Sequence, residues 1–257
     1  MKKIILALAL GLGSGAGAEE LKDTIANKGT ITVGTEGTYA PFTYHDEQGK
    51  LTGYDVEVTR AVAAKLGVKV EFLETNWDAM MAGLKGGRFQ LVANQVALTT
   101  PERQAAFDKA GVYNWSGMWA VAKSDNDKIK EVKDFKGLKA AQSLSSNYGE
   151  FAQQAGAELV PVDGLAQSIA LIEQGRADFT LNSSLAILDY QKKHPKAPIK
   201  VVWKAPAEEM KGSGLVLVKG QEEALKKLTA ALEEVRADGT LKKLGEQFFG
   251  QDVSVKE

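Results

Sequence analysis

The side chains of this chain best equipped for chemistry follow directly on short apolar runs. Arg103 lies in Thr99-Thr100-Pro101-Glu102-Arg103, a helix-start pattern with Thr100 as cap, Pro101 at the first helical position and Glu102 in the first turn. A guanidinium there either forks onto a carboxylate through two charge-assisted hydrogen bonds or pairs on the surface with Glu102 or Asp108. Glu36 belongs to Thr35-Glu36-Gly37-Thr38-Tyr39-Ala40-Pro41-Phe42. It offers a carboxylate to an ammonium group, beside Tyr39, whose ring packs on a ligand or caps a core. Trp77, in Thr75-Asn76-Trp77-Asp78, supplies a further wall. In Leu144-Ser145-Ser146-Asn147-Tyr148-Gly149-Glu150, Ser146 or Asn147 caps a helix whose free N–H groups suit an anion or serve ordinary capping.

These groups bind better than they catalyse. The two histidines, His45 and His194, sit in polar stretches with no serine in a recognisable arrangement. There is no Gly-x-Ser-x-Gly and no Ser-x-x-Lys, and with no cysteine there is neither a thiol nucleophile nor a thiolate metal site. No glycine-rich phosphate loop appears, so no metal and no cofactor is expected.

The elements that must position these residues follow a repeated pattern. Gly87-Arg88-Phe89-Gln90-Leu91-Val92-Ala93-Asn94 and Gly175-Arg176-Ala177-Asp178-Phe179-Thr180-Leu181-Asn182 each read as glycine stop, arginine, short strand, asparagine. Two such units imply two similar lobes, and in an open α/β sheet ligands gather at the carboxyl ends of the strands. Strands are expected at 31–34, 68–73 and 90–93, with helices at 55–66 and 78–85 between them, an alternation that argues for a parallel sheet. The pattern restarts with strands at 139–142, 159–162, 179–181 and 201–204 and helices at 148–154 and 166–174. The apolar run 215–218 reads as a return to the first lobe. Ala224, Leu225, Leu228, Leu232 and Val235 form the stripe of a helix over 222–236, followed by a shorter helix over 240–248. Chain crossings near 116 and 212 make a two-strand hinge that lets two lobes close as rigid bodies.

Lys2 and Lys3, the apolar Ile4 to Leu10 and the small residues Ala16-Gly17-Ala18 form a signal peptide over 1–18, with cleavage after Ala18 and export expected. Without cysteine there is no disulfide and no lipid-anchor site. The 32 basic and 33 acidic residues are interspersed, which argues against a nucleic-acid partner. The remaining chain is long enough for two modest lobes, read as 19–115 with 213–257, and 116–212.

Gly37 to Phe42, Gly53-Tyr54-Asp55, Trp77-Asp78, Thr100 to Arg103, Leu138 to Glu150 and Phe248-Phe249-Gly250 together resemble the periplasmic polar amino acid-binding proteins of ABC importers, solute-binding protein family 3. Within that family Asn94-Gln95-Val96, Ser146-Asn147-Tyr148 and the Phe249 to Val253 ending are most similar to cystine receptors. The resemblance implies an α/β, two-lobed periplasmic binding protein fold with a two-strand hinge. It also implies a soluble periplasmic receptor, monomeric, that delivers cystine, or else cysteine or another polar amino acid, to an inner-membrane ABC permease. By position, Arg103 would clamp the ligand carboxylate. The main chain of Gln95, Val96 and Ala97 and the Ser145-Ser146-Asn147 turn would donate hydrogen bonds. Tyr39 and Trp77 would sandwich the side chain, with Glu36 facing its polar end and Asn94 at the strand end. The family places an aspartate for the α-ammonium where this chain has Ser183. It also has a hydroxyl near Ala97 and one residue fewer before Pro101. The competing readings are an exported, dehydratase-like enzyme with Glu36 as its acid or base, and a non-transport sensor.

Overall fold

The structure, a computed structural model, describes residues 20–256, so the expected signal peptide at 1–18 lies outside the described residues. The chain opens with helix α1 (Leu21–Ala26), strand β1 (Thr30–Thr35) and a small sheet of β2 (Thr38–Tyr39), β3 (Thr43–His45) and β4 (Leu51–Thr52). Then come α2 (Tyr54–Leu66), β5 (Lys69–Glu74), α3 (Trp77–Lys85), β6 (Leu91–Val92), α4 (Pro101–Ala106) and the long β7 (Phe107–Ser116). Only Gly117 separates β7 from β8 (Met118–Lys123). β9 (Lys139–Gln142), α5 (Asn147–Gln154), β10 (Glu158–Pro161), α6 (Leu165–Glu173), β11 (Phe179–Ser183), α7 (Ser184–Lys193) and β12 (Ile199–Lys204) follow. The chain returns through β13 (Lys211–Val218) and ends in α8 (Glu222–Ala237) and α9 (Thr240–Phe249).

Two five-stranded sheets result, ordered β5-β1-β6-β13-β7 and β10-β9-β11-β8-β12. Each contains three parallel strands, then a strand running the other way: β13 antiparallel to β6, and β8 antiparallel to β11. The sheets are therefore mixed where a parallel sheet was expected. The reason is connectivity. β13 and β8 both start at the crossover, where the parallel strands end, so each must run back against them.

The crossings themselves pair, Lys211 with Ser116 and Gly212 with Trp115, which is the two-strand hinge of a two-lobed α/β fold. β6 and β11, the strands of the duplicated units, occupy the third place in their sheets, so the sequence repeat is a structural repeat. His45 and His194 stand at element ends: His45 Nε2 lies 3.0 Å from Glu74, and His194 stacks on Tyr190 at 4.3 Å.

Helix α8 buries the expected stripe, with Ala224, Leu228, Leu232 and Val235 packed into one core with Val58 and Val62 of α2, and Leu225 at its margin. Full burial of such a side chain contributes about 1.5–3 kcal/mol. Gly53, just before α2, has φ 121°, and a Cβ there would stand 2.3 Å from the Phe42 carbonyl oxygen. Gly53→Ala is therefore expected to cost about 2 kcal/mol or more, through backbone strain and a clash with main chain that cannot step aside. A denaturant melt of the variant checks this.

Candidate functional site

The carboxyl ends of the parallel strands of both sheets face one cavity lined by side chains of the two lobes. From the first lobe it is lined by Glu36 and Thr38 after β1, Tyr39, Trp77 at the start of α3, and Asn94 and Gln95 after β6. The second lobe contributes Gln142 and Ser143 from the end of β9, Ser146, Asn147 and Tyr148 at the start of α5, Gly164, Leu165 and Ser168 around the start of α6, and Asn182 from β11. Both asparagines of the duplicated unit thus reach one cavity from opposite sides.

Local folding places these residues. Asn76, Thr100 and Ser146 cap α3, α4 and α5, accepting the N–H groups of Ala79 at 2.9 Å, Arg103 at 3.2 Å and Gly149 at 3.0 Å. Asn94 holds Glu36 at two points: its Oδ1 accepts the Glu36 main-chain N–H at 2.8 Å, and its Nδ2 donates to Glu36 Oε2 at 2.6 Å. Burial pushes the Glu36 carboxyl up to about 7, against the Asn94 hydrogen bond that favours the charged form. Tyr39 leans on Phe42, ring centroids 5.0 Å apart, and its hydroxyl donates across the cleft to Asn182 Oδ1 at 2.6 Å.

Arg103 is buried, and among the described residues it takes part in no ion pair. Its Nη1 donates to the Ala97 carbonyl at 3.2 Å and its Nη2 to the Ser145 carbonyl of the other lobe at 2.8 Å. The guanidinium carbon lies 5.5 Å from the Trp77 ring centroid. Burial pulls the Arg103 pKa below its ordinary value, against the opposing influence of the Glu150 carboxylate, with which it forms no ion pair. Trp77 Nε1 is also buried, with no acceptor among the described residues. Ser145 donates its main-chain N–H at 3.0 Å and its hydroxyl at 2.6 Å to Asp78 Oδ1. The lobes are therefore joined directly at three places around the cavity: Asp78–Ser145, Arg103–Ser145 and Tyr39–Asn182.

Seven of the residues singled out from sequence share the cavity wall: Glu36, Tyr39, Trp77, Asn94, Gln95, Ser146 and Asn147. Five do not. Val96 is fully buried in an apolar cluster with Met80, Phe89 and Val216, because the chain turns inward after Gln95. Ala97 lines a narrower recess at the hinge, with Ser116, Gly117 and Met118. Arg103 lies behind Trp77, and Ser145 is spent on closing the cleft. Ser183 is buried under the cavity floor, its Oγ 2.5 Å from Ser116 Oγ, so it ties β11 to the end of β7 at the hinge. Of the wall residues not singled out as site residues, Gln142 and Asn182 were legible as strand ends. Thr38, Ser143, Tyr148, Gly164, Leu165 and Ser168 carry no signal beyond adjacency to such an end.

A family profile described as bacterial extracellular solute-binding proteins, family 3, matches residues 31–251. A probable amino-acid ABC transporter-binding protein of Haemophilus influenzae is 48% identical over 237 residues, 92% of this chain and 91% of the relative. The L-cystine-binding protein TcyA of Bacillus subtilis is 46% identical over 91% of this chain and 87% of its own. Among solved structures, the L-cystine solute receptor of Neisseria gonorrhoeae, in its unliganded open conformation, is 68% identical over 92% of this chain and 100% of its own, with a TM-score of 0.63. Among the described residues no helix is long and apolar enough to cross a membrane. Fold, cavity and relatives agree: this chain belongs to the bacterial extracellular solute-binding proteins of family 3.

Proposed function

We propose that the chain is the substrate-binding receptor of an ABC importer, that it binds a small polar amino acid between its lobes, and that L-cystine is the first ligand to consider. The observation that carries this reading is a buried acid on the cavity wall and a buried cation just behind it, covered by Trp77, neither of them in an ion pair among the described residues. Arg103 is a buried cation without a carboxylate, and Glu36 is a buried carboxylate without a cation. A zwitterion supplies the missing partner to each. In this reading Arg103 turns from the Ala97 carbonyl to the ligand carboxylate, Glu36 receives an ammonium that the neutral Ser183 cannot hold, and Tyr39 and Trp77 cover the ligand. Cystine, with an ammonium at each end, fits an acid on the wall; cysteine or another polar amino acid is the next choice. The similarity to TcyA and to the gonococcal receptor supports cystine over other amino acids.

The same reading places the protein in the periplasm after removal of 1–18. It acts as a monomer that presents its ligand to an inner-membrane permease, with lobes 19–115 plus 213–257 and 116–212. It is read as a binder, in keeping with its family: among the described residues of the cavity wall Glu36 is the one carboxylate, with no histidine or lysine to share proton transfer.

A thermal-shift screen over amino acids and small carboxylates tests the proposal. A true ligand at about 100 times its dissociation constant adds about 2.7 kcal/mol of stability. L-cystine is expected to give the largest shift, and a flat response to every amino acid sinks the reading.

A further inference from the structure

Gln95 is one of two residues other than glycine with a positive φ among the described residues, at 54°. It sits on the cavity wall. A side chain in the left-handed region costs about 1–2 kcal/mol, so something must hold it there. That something is Asp55, the second residue of α2, which is fully buried. Asp55 Oδ2 accepts the Gln95 main-chain N–H at 2.6 Å, and Oδ1 accepts Gln95 Nε2 at 2.7 Å. Tyr113 on β7 donates its hydroxyl to the same Oδ2 at 2.9 Å. Asn114, the next residue on that strand, exchanges two hydrogen bonds with the Gln95 amide: it accepts from Nε2 at 2.9 Å and donates to Oε1 at 3.1 Å. The side-chain amide of Gln95 is thus fully engaged away from the ligand, and its main chain and methylenes are what remain for the cavity.

We infer that Asp55 is a positioning residue for the ligand cavity: it locks Gln95 in the left-handed conformation and, with Asn114, fastens that piece of wall to the strand that runs into the hinge. The carboxylate suits the task because it accepts from both N–H groups of one residue at once, which no neutral side chain of its size does. Asparagine there would turn a donor toward one of the two Gln95 N–H groups in either orientation. The Gly53 conformation described above matters for the same reason, since it sets the start of α2 close to the Phe42 carbonyl and so fixes where Asp55 stands.

The test is a double-mutant cycle with L-cystine as probe, which rests on the proposed ligand, together with a readout that needs no ligand. Asp55→Asn in the otherwise native chain is expected to lower L-cystine affinity at least about tenfold. In a Gln95→Gly background the left-handed backbone needs no support, and the same substitution should change affinity less than about threefold. Equal losses in the two backgrounds make Asp55 a merely structural residue and overturn the inference. The ligand-free readout is the Gln95 amide proton followed by NMR. In the native protein it should exchange slowly with solvent although it lies outside any sheet ladder, and in Asp55→Asn its resonance should move. Fast exchange in the native protein overturns the inference even if Asp55→Asn does not fold. If the native protein fails to bind L-cystine, the proposed ligand is rejected and the amide proton alone decides the role of Asp55.

Discussion

Arg103→Ala is expected to weaken binding of the amino acid ligand by about 2–5 kcal/mol, the usual cost of removing one partner of a desolvated charge pair. That is a loss of roughly thirtyfold to several thousandfold in affinity. Two contributions add. The ligand carboxylate would be left buried and unpaired, and the Nη2 bond to Ser145 across the cleft would vanish, so the closed form would be harder to reach. Arg103→Lys separates them. Lysine keeps the charge but lacks the planar fork that serves both lobes, so it should lose part of the affinity and not all of it. Calorimetry on the three proteins reads this directly; an Arg103→Ala protein that binds as tightly as the native one removes the guanidinium from the ligand's reach.

The second large effect is on pH. Glu36 titrates near 7 in the cavity, and a ligand ammonium prefers it ionised. Affinity should therefore rise as pH climbs toward about 7, by at most about tenfold per pH unit well below that point, and level off above it. From about pH 5 to pH 7 the gain from Glu36 is at most about fiftyfold. The sign is fixed by linkage: the ligand binds the form that has lost a proton, so adding protons drives it off. Asp55, which titrates near 6, adds to the same trend, because its protonation loosens the hold on Gln95, while Asp78 and Asp163 act on Glu36 only by pushing its pKa further up. Glu36→Gln should remove the rise centred near pH 7, keep only the part that Asp55 contributes near pH 6, and leave binding at pH 8 weaker than native. A native profile that stays level from pH 5 to 8 sinks the assignment of Glu36 to the ammonium.

Much of this was legible in residue order because strand ends are legible. Gly87 and Gly175 mark where helices stop, the apolar pairs after them mark strands, and the asparagines that follow fall on the cavity by topology alone. Thr100 with Pro101, and Ser146, announced caps that the structure contains. What stayed hidden depends on the other half of a pair. β7 went unread because Asp108, Lys109 and Gly111 interrupt any alternation, and the strand exists only because β13 lies along it. Helix α7 begins with two serines, one of which is held by Ser116 from the hinge. Arg103 was read as either a carboxylate clamp or a surface pair with Glu102 or Asp108; its partner across the cleft is a carbonyl from residue 145, and no spacing within α4 contains that fact. Ser183 was read against an acid at the same place; its burial against Ser116 follows from how the chain crosses between lobes.

Three of the direct bonds between the lobes, those around the cavity, bear on selectivity. Asp78–Ser145, Arg103–Ser145 and Tyr39–Asn182 stabilise the shut molecule whatever lies inside it. A ligand shifts the open–shut balance only by its own preference for one state. A bond between groups off the cavity wall, as Asp78–Ser145 is, therefore raises the apparent affinity of every guest by the same factor and ranks none above another. Such a receptor trades discrimination for reach: it catches scarce solute efficiently, and its choosiness rests wholly on the few groups that meet the guest. The same bonds bear on economy. An empty receptor that spends time shut offers the permease the outline of a loaded one, so the strength of these three contacts also sets how much of the transporter's work is done on an empty cup.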